Sequence, residues 1–225
     1  CSVVAALGER TWVQGRAYAG HEELWRATLA VNPDSSLAST NLGKLLLDRG
    51  ETPAALEHLR RAVELDGDLA EARVNLGTAL ALSGDRTAAR EQFEAAARAA
   101  PQHAPAYNNL GWIAAQEGDF ERASELYARA LELDPDYPDA HFNLGIRRAL
   151  DGRHAEAARH LGRAVELAPG HSVARAWLAR SLGELGRHAE ALAHDRYALV
   201  VDPRDVEVRV HAAGMLATLG RGEEA

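Results

Sequence analysis

The chain has 225 residues, a formal net charge of −8, and 47% hydrophobic residues of which few are aromatic, at 5% of the whole. With a pI near 5.7 its surface repels phosphate backbones, which argues against nucleic acid as a partner. The 26% charged fraction lies outside the disordered class, and no stretch approaches the roughly 20 apolar residues needed to span a bilayer.

Alanine and leucine dominate, as they do where many helices cross closely. Cys1 is the only cysteine, so no disulfide forms within the chain and redox compartment stays undetermined. A cysteine followed by Ser2 also begins lipid-anchored mature proteins; an inert thiol is the plainer reading. Lys44 is the only lysine, an arginine bias that reads as genome composition before function.

Residues 1–35 carry a weaker copy of a pattern that strengthens downstream. Leu7-Gly8 and Gly15 stand at a hairpin's separation. A second helix is predicted over His21–Val31, stopped by Asn32-Pro33, with Trp25 in a large-aromatic position. Residues 36–205 then hold five full copies at a period of 34. Gly50, Gly84, Gly118, Gly152 and Gly186 align in one register. Ala55, Ala89, Ala123, Ala157 and Ala191 align in a second, and Ala62, Ala96, Ala130, Ala164 and Ala198 in a third. Leu42-Gly43, Leu76-Gly77, Leu110-Gly111 and Leu144-Gly145 form a fourth, which becomes Leu178-Ala179 in the next copy.

Each copy reads as two helices. In the unit Ala104–Tyr137 the first is predicted over Ala106–Glu117, with Gly118 able to take the left-handed turn that ends it. Asp119 stands where it caps the second helix, Glu121–Leu133, and Asp134-Pro135 stops that one. The small residues let helices cross tightly. Residues 206–225 begin a further copy that stops just inside its second helix.

The pattern Tyr107, Leu110-Gly111, Gly118, Ala123, Tyr127, Ala130, Pro135 resembles the tetratricopeptide repeat consensus, whose period is also 34. The resemblance implies an all-α fold, a right-handed superhelical solenoid of antiparallel helix pairs. Contacts then run mainly between neighbouring units, and first helices line a concave groove. Over 1–225 it implies a single solenoid with a degenerate first repeat. Thr11-Trp12-Val13-Gln14-Gly15-Arg16-Ala17-Tyr18, Leu24-Trp25-Arg26 and Asn32-Pro33-Asp34 further resemble the junction where multi-pass bacterial membrane proteins pass into an extracytoplasmic repeat domain. That second resemblance implies an extracytoplasmic or cell-surface position.

Chemistry is sparse. His154 and His160 recur as His188 and His194, but six residues along a helix turn a side chain by about 240°, so each pair diverges. No metal or cofactor is expected. His21-Glu22-Glu23-Leu24-Trp25 lacks the second histidine of a metalloprotease helix, and no serine sits in a nucleophile elbow. The expectation is a non-catalytic protein.

On the resemblance, positions two, five, six, nine and twelve of each first helix face the groove. Position six is asparagine four times running, at Asn41, Asn75, Asn109 and Asn143. A row of amides holds an extended peptide backbone of any sequence, and the glycosyltransferase that adds N-acetylglucosamine to proteins has a similar ladder. Asparagine is also common at this position in the family, which leaves a merely structural role open. Val74, Trp112, Phe142 and Ile146 are expected to present apolar surface around the ladder, unless curvature buries them. Arg180, with Arg147 and Arg148, is suited to a carboxylate or acidic peptide. Chaperone-binding members clamp a C-terminal carboxylate; the matching positions hold Thr40, Lys44, Asn75, Pro105 and Asn109, so the basic half of that clamp is missing.

Two functions follow. The first is a scaffold that binds an extended peptide or protein segment in the groove. The second is a structural subunit that assembles head to tail through its end repeats, a heterologous contact that builds homo-oligomers or filaments. Trp12 and Trp25 at one end, and Val208, Val210, Met215, Leu216 and Leu219 at the other, would form that interface.

Overall fold

The computed structural model describes residues 20–223, and the secondary structure among them is helical throughout. Helix α1 covers 20–31. It is followed by α2 (Ser36–Asp48), α3 (Thr52–Leu65), α4 (Ala70–Leu82), α5 (Arg86–Ala99) and α6 (Ala104–Gln116). Then come α7 (Phe120–Leu133), α8 (Pro138–Leu150), α9 (His154–Leu167), α10 (Ser172–Glu184), α11 (His188–Val201) and α12 (Val206–Glu223). Even-numbered helices up to α12 are the first helices of the 34-residue units. The predicted bounds shift slightly: α6 starts at Ala104 rather than Ala106 because Pro105, which needs no N–H partner in a first turn, is accommodated there.

Local chemistry sets the ends. Gly50, Gly84, Gly118, Gly152 and Gly186 all have positive φ, from 74° to 94°, a conformation that a Cβ disfavours. The next helix is capped one residue later by Asp85, whose side chain accepts from Ala88 N–H, and by Asp119, which accepts from Arg122 N–H. Ser35 caps α2 through Ala38 N–H.

The chain forms two compact units, Cys1–Asn109 and Leu110–Ala225. In the first, α2 packs on α3 and α4 on α5 as hairpins, and α3 and α2 both contact α4. In the second, α8 and α9, then α10 and α11, form hairpins; α7 meets α8, α9 meets α10, and α11 meets α12.

The core of each hairpin is a knob against a bare backbone. A Cβ on Gly43 would fall 2.5 Å from Leu59 Cγ, and one on Gly77 would fall 2.5 Å from Phe93 Cε1. A Cβ on Gly111 would lie 2.7 Å from Tyr127 Cε1, and one on Gly145 2.7 Å from Leu161 Cγ. The knobs Leu59, Phe93, Tyr127 and Leu161 are at most 3% exposed, each burial contributing about 1.5–3 kcal/mol. Ala55, Ala62, Ala89, Ala96, Ala123, Ala130, Ala157, Ala164 and Ala191 are completely buried, so the two alanine registers mark helix crossings.

Candidate functional site

In the first unit, position six is occupied by amides already engaged with their own helices. Asn41 Nδ2 donates to the Leu37 carbonyl at 3.0 Å, and Asn75 Nδ2 reaches Glu71 Oε1 at 3.5 Å. Asn109 Oδ1 accepts from Asn108 Nδ2 at 3.2 Å. Glu71 also pairs with Lys44 Nζ at 3.1 Å, tying α4 to α2. Val74 corrects the sequence expectation: it is 6% exposed and does not present surface to a groove. Thr40 and Asn108, its counterparts at position five, are likewise buried, because this register turns toward the neighbouring helices. Asn75 is buried too, at 8% exposure.

In the second unit, Trp112, Asn143, Phe142 and Ile146 are partly buried. Phe142 and Ile146 pack against the core built from α9, α10 and α11, and the Phe142 ring lies 4.4 Å from that of His171. His171 has a local task as well, since its Nδ1 caps α10 by accepting from Ala174 N–H at 3.2 Å. Arg147 is not available to an acidic ligand: it pairs with Asp151 and its guanidinium sits 4.5 Å above the Phe120 ring. Arg180 is exposed.

The end residues divide. Trp12 falls outside the described residues, and Trp25 is partly buried on α1. Val210 and Leu216 are 68% and 50% exposed on α12. Val208 is a correction, being 5% exposed and turned inward, and Met215 packs against the core of the second unit. Leu219 is partly buried.

The feature that sequence reasoning passed over lies where the repeat breaks. In the hairpin α10–α11, Ala179 replaces the register glycine and Asp195 replaces the large knob. Asp195 is 1% exposed, and its Oδ2 accepts from His211 Nδ1 on α12 at 2.7 Å. Burial pushes its carboxyl up from the ordinary carboxylate range, while the hydrogen bond and charge of His211 pull it back. Above this pair opens a cleft walled by Val173, Ala176 and Trp177 of α10 and by Val208 of α12, with Arg180 and Glu207 at its rim. The signal was present in the sequence as the change from Leu-Gly to Leu178-Ala179, sixteen residues before the histidine-flanked Asp195.

Two further histidines, His141 and His160, are joined ring to ring. His141 Nε2 donates to the Pro135 carbonyl at 2.9 Å, which leaves its Nδ1 to accept from His160 Nδ1 at 3.0 Å. His160 is held down to about 4, chiefly by burial, with His141, Arg159 and Arg148 adding to the effect and Glu156 opposing it. Among the described residues no group of three or more His, Cys, Asp or Glu side chains converges as a metal site would require.

Family models described as tetratricopeptide repeat match residues 6–70, 41–104 and 149–194, and one described as TPR repeat matches 112–146. No curated protein matches the sequence. Among solved structures, the APC/C hetero-tetramer Cut9-Hcn1 aligns over 90% of this chain with a TM-score of 0.78 at 17% identity. This chain spans 40% of the length of that one. TTC0263, a thermophilic TPR protein of Thermus thermophilus, is 26% identical, with a TM-score of 0.65, over 81% of this chain and 100% of its own. YrrB, described as a TPR protein with an unusual peptide-binding site, is 24% identical, with a TM-score of 0.56, over 86% of this chain and 99% of its own.

Proposed function

Because the chain belongs to the tetratricopeptide repeat family, whose members generally mediate protein–protein interactions, we propose that it is a non-catalytic scaffold. It holds an extended peptide or protein segment along the face formed by its first helices. The observation that carries this reading is the cleft between the first helices α10 and α12, where apolar walls from Val173, Ala176 and Trp177 meet convergent polar groups. Asn41 at position six supports it as well, since an amide with one N–H engaged keeps a second N–H for a bound backbone.

Photo-crosslinking on the full chain tests the proposal. Benzoylphenylalanine is placed at the exposed first-helix positions Lys44 and Arg180 and at the exposed second-helix positions Glu57 and Arg196. With a library of extended decapeptides, crosslinks are expected from the first pair and not from the second. Equal yields from both pairs, or none from either, would overturn the reading.

A second reading, end-to-end self-assembly, is favoured by one specific observation. Val206, Val210 and Leu216 on α12 are 50–68% exposed, as a helix face would be that awaits another copy.

A further inference from the structure

Four successive hairpins obey one packing rule: a bare glycine on the first helix and a large knob, Leu59, Phe93, Tyr127 or Leu161, on the second. The α10–α11 hairpin breaks both halves of the rule together. Ala179 and Asp195 are each buried, at 0% and 1% exposure. The added methyl fits because the knob is gone. Asparagine at position six then gives way first to Trp177 and, one repeat on, to His211, whose Nδ1 fixes one oxygen of Asp195. Room for this imidazole comes from another small residue, since a Cβ on Gly183 would already lie 3.0 Å from His211 Nε2. The compensations preserve a packed hairpin yet leave a carboxylate at the floor of a cleft.

The walls of that cleft have a matching character. Val173, Ala176 and Val208 offer aliphatic surface, and Trp177 offers an indole face. Asp202, Asp205 and Glu207 add three carboxylates to that of Asp195, against the single guanidinium of Arg180. Asp202 and Asp205 are held in place by accepting the backbone N–H groups of Arg204 and Val208. Arg180 sits outward, 5.5 Å from the Trp177 ring. The imidazole of His211 fixes one oxygen of Asp195, and a buried carboxylate recovers further lost hydration from a bound cation. A lysine or arginine side chain supplies that cation on an aliphatic stem that suits apolar walls and an aromatic face.

We propose that the cleft between α10 and α12, floored by Asp195 and His211 and walled by Trp177, is the pocket that takes a basic side chain of the bound segment. The assignment rests on the first-helix face being a peptide-holding surface, and it supplies the chemical class that this surface selects.

Fluorescence anisotropy on the full chain tests it, using labelled nine-residue Gly/Ser peptides that carry one central Arg, Lys, citrulline or Glu. The Arg and Lys peptides are expected to bind about tenfold more tightly than citrulline, the loss associated with one desolvated charge pair. Asp195→Asn, which keeps an acceptor for His211, should erase the preference, and Arg180→Ala should strengthen the Arg peptide. Should Asp195→Asn unfold by circular dichroism, exposed Glu207→Gln carries the test, with an expected loss of about threefold. Binding of Arg, citrulline and Glu peptides with equal affinity would overturn the pocket while leaving the peptide-holding face intact. Tighter binding of the Glu peptide, weakened by Arg180→Ala, would overturn it in favour of an acidic ligand. Failure of every peptide to bind at millimolar concentration would remove the face and the pocket together.

Discussion

Substituting Gly77 by alanine sets two opposed effects against each other, and the geometry decides between them. Alanine is about 1 kcal/mol better than glycine in a helix interior, so on propensity alone the change would stabilise α4. Its Cβ, however, would lie 2.5 Å from Cε1, 2.8 Å from Cδ1 and 3.0 Å from Cζ of Phe93. Carbon atoms prefer about 3.5–4.0 Å, so the ring must retreat by about 1 Å. At 2% exposure it has little space to do so. Overpacking of this kind costs about 1–3 kcal/mol, and a rigid buried ring belongs at the top of that range. The net expectation is a loss of about 2 kcal/mol, or a fall in Tm of about 4–8 °C for a chain of this length. Gly162 is the control, because nothing lies within 4 Å of a Cβ built there and its φ is ordinary. Gly162→Ala should therefore raise Tm by about 2–4 °C through propensity alone. Thermal melts followed by circular dichroism at 222 nm compare the two. If both substitutions move Tm in the same direction, the knob-against-glycine account of the hairpin core is wrong.

Stability should also fall with acidification through His160. Its folded value near 4 lies below the ordinary 6.5, so the unfolded chain binds the proton first and stability is lost as pH drops from about 6.5 toward 4. His160→Gln, which keeps a donor for His141, should shrink the Tm difference between pH 7 and pH 4.5; an unchanged difference would show that the ring is not responsible. Self-assembly, for its part, predicts oligomers by light scattering at high micromolar concentration that Val210→Glu combined with Leu216→Glu dissolves. A monomer at every concentration would end that reading.

Much of the architecture was legible because each register answers one physical demand. Glycine at 118 had to permit a positive φ, aspartate at 119 had to cap a helix, and alanines at 123 and 130 had to fit crossings with no free space. These requirements are local, so the residue type announces them. The face was harder to read, since exposure depends on how closely neighbouring first helices approach. Val74 is apolar and stands in a groove register, yet it is buried on a helix against which α2, α3 and α5 all pack. The asparagine ladder was visible as a row of residues, but the direction of each amide was not. A side chain that can reach a carbonyl one turn back, as Asn41 does with Leu37, answers its own helix before any ligand.

What the repeat hides, its failures reveal. A methyl placed on Gly145 with Leu161 retained would sit 2.7 Å from that side chain, so alanine at position eight is tolerated only where the knob has shrunk. Aspartate in the knob position would in turn leave a buried carboxylate with no donor, a cost of about 1–3 kcal/mol or more, unless a neighbouring repeat supplies one. Ala179, Asp195 and His211 meet these conditions together, and no single one of them is favourable alone. Drift in a solenoid core would more easily have kept glycine and leucine. A set of three departures that each repair the next, opening where α10 and α12 meet, is what the proposed pocket for a basic side chain requires of this hairpin.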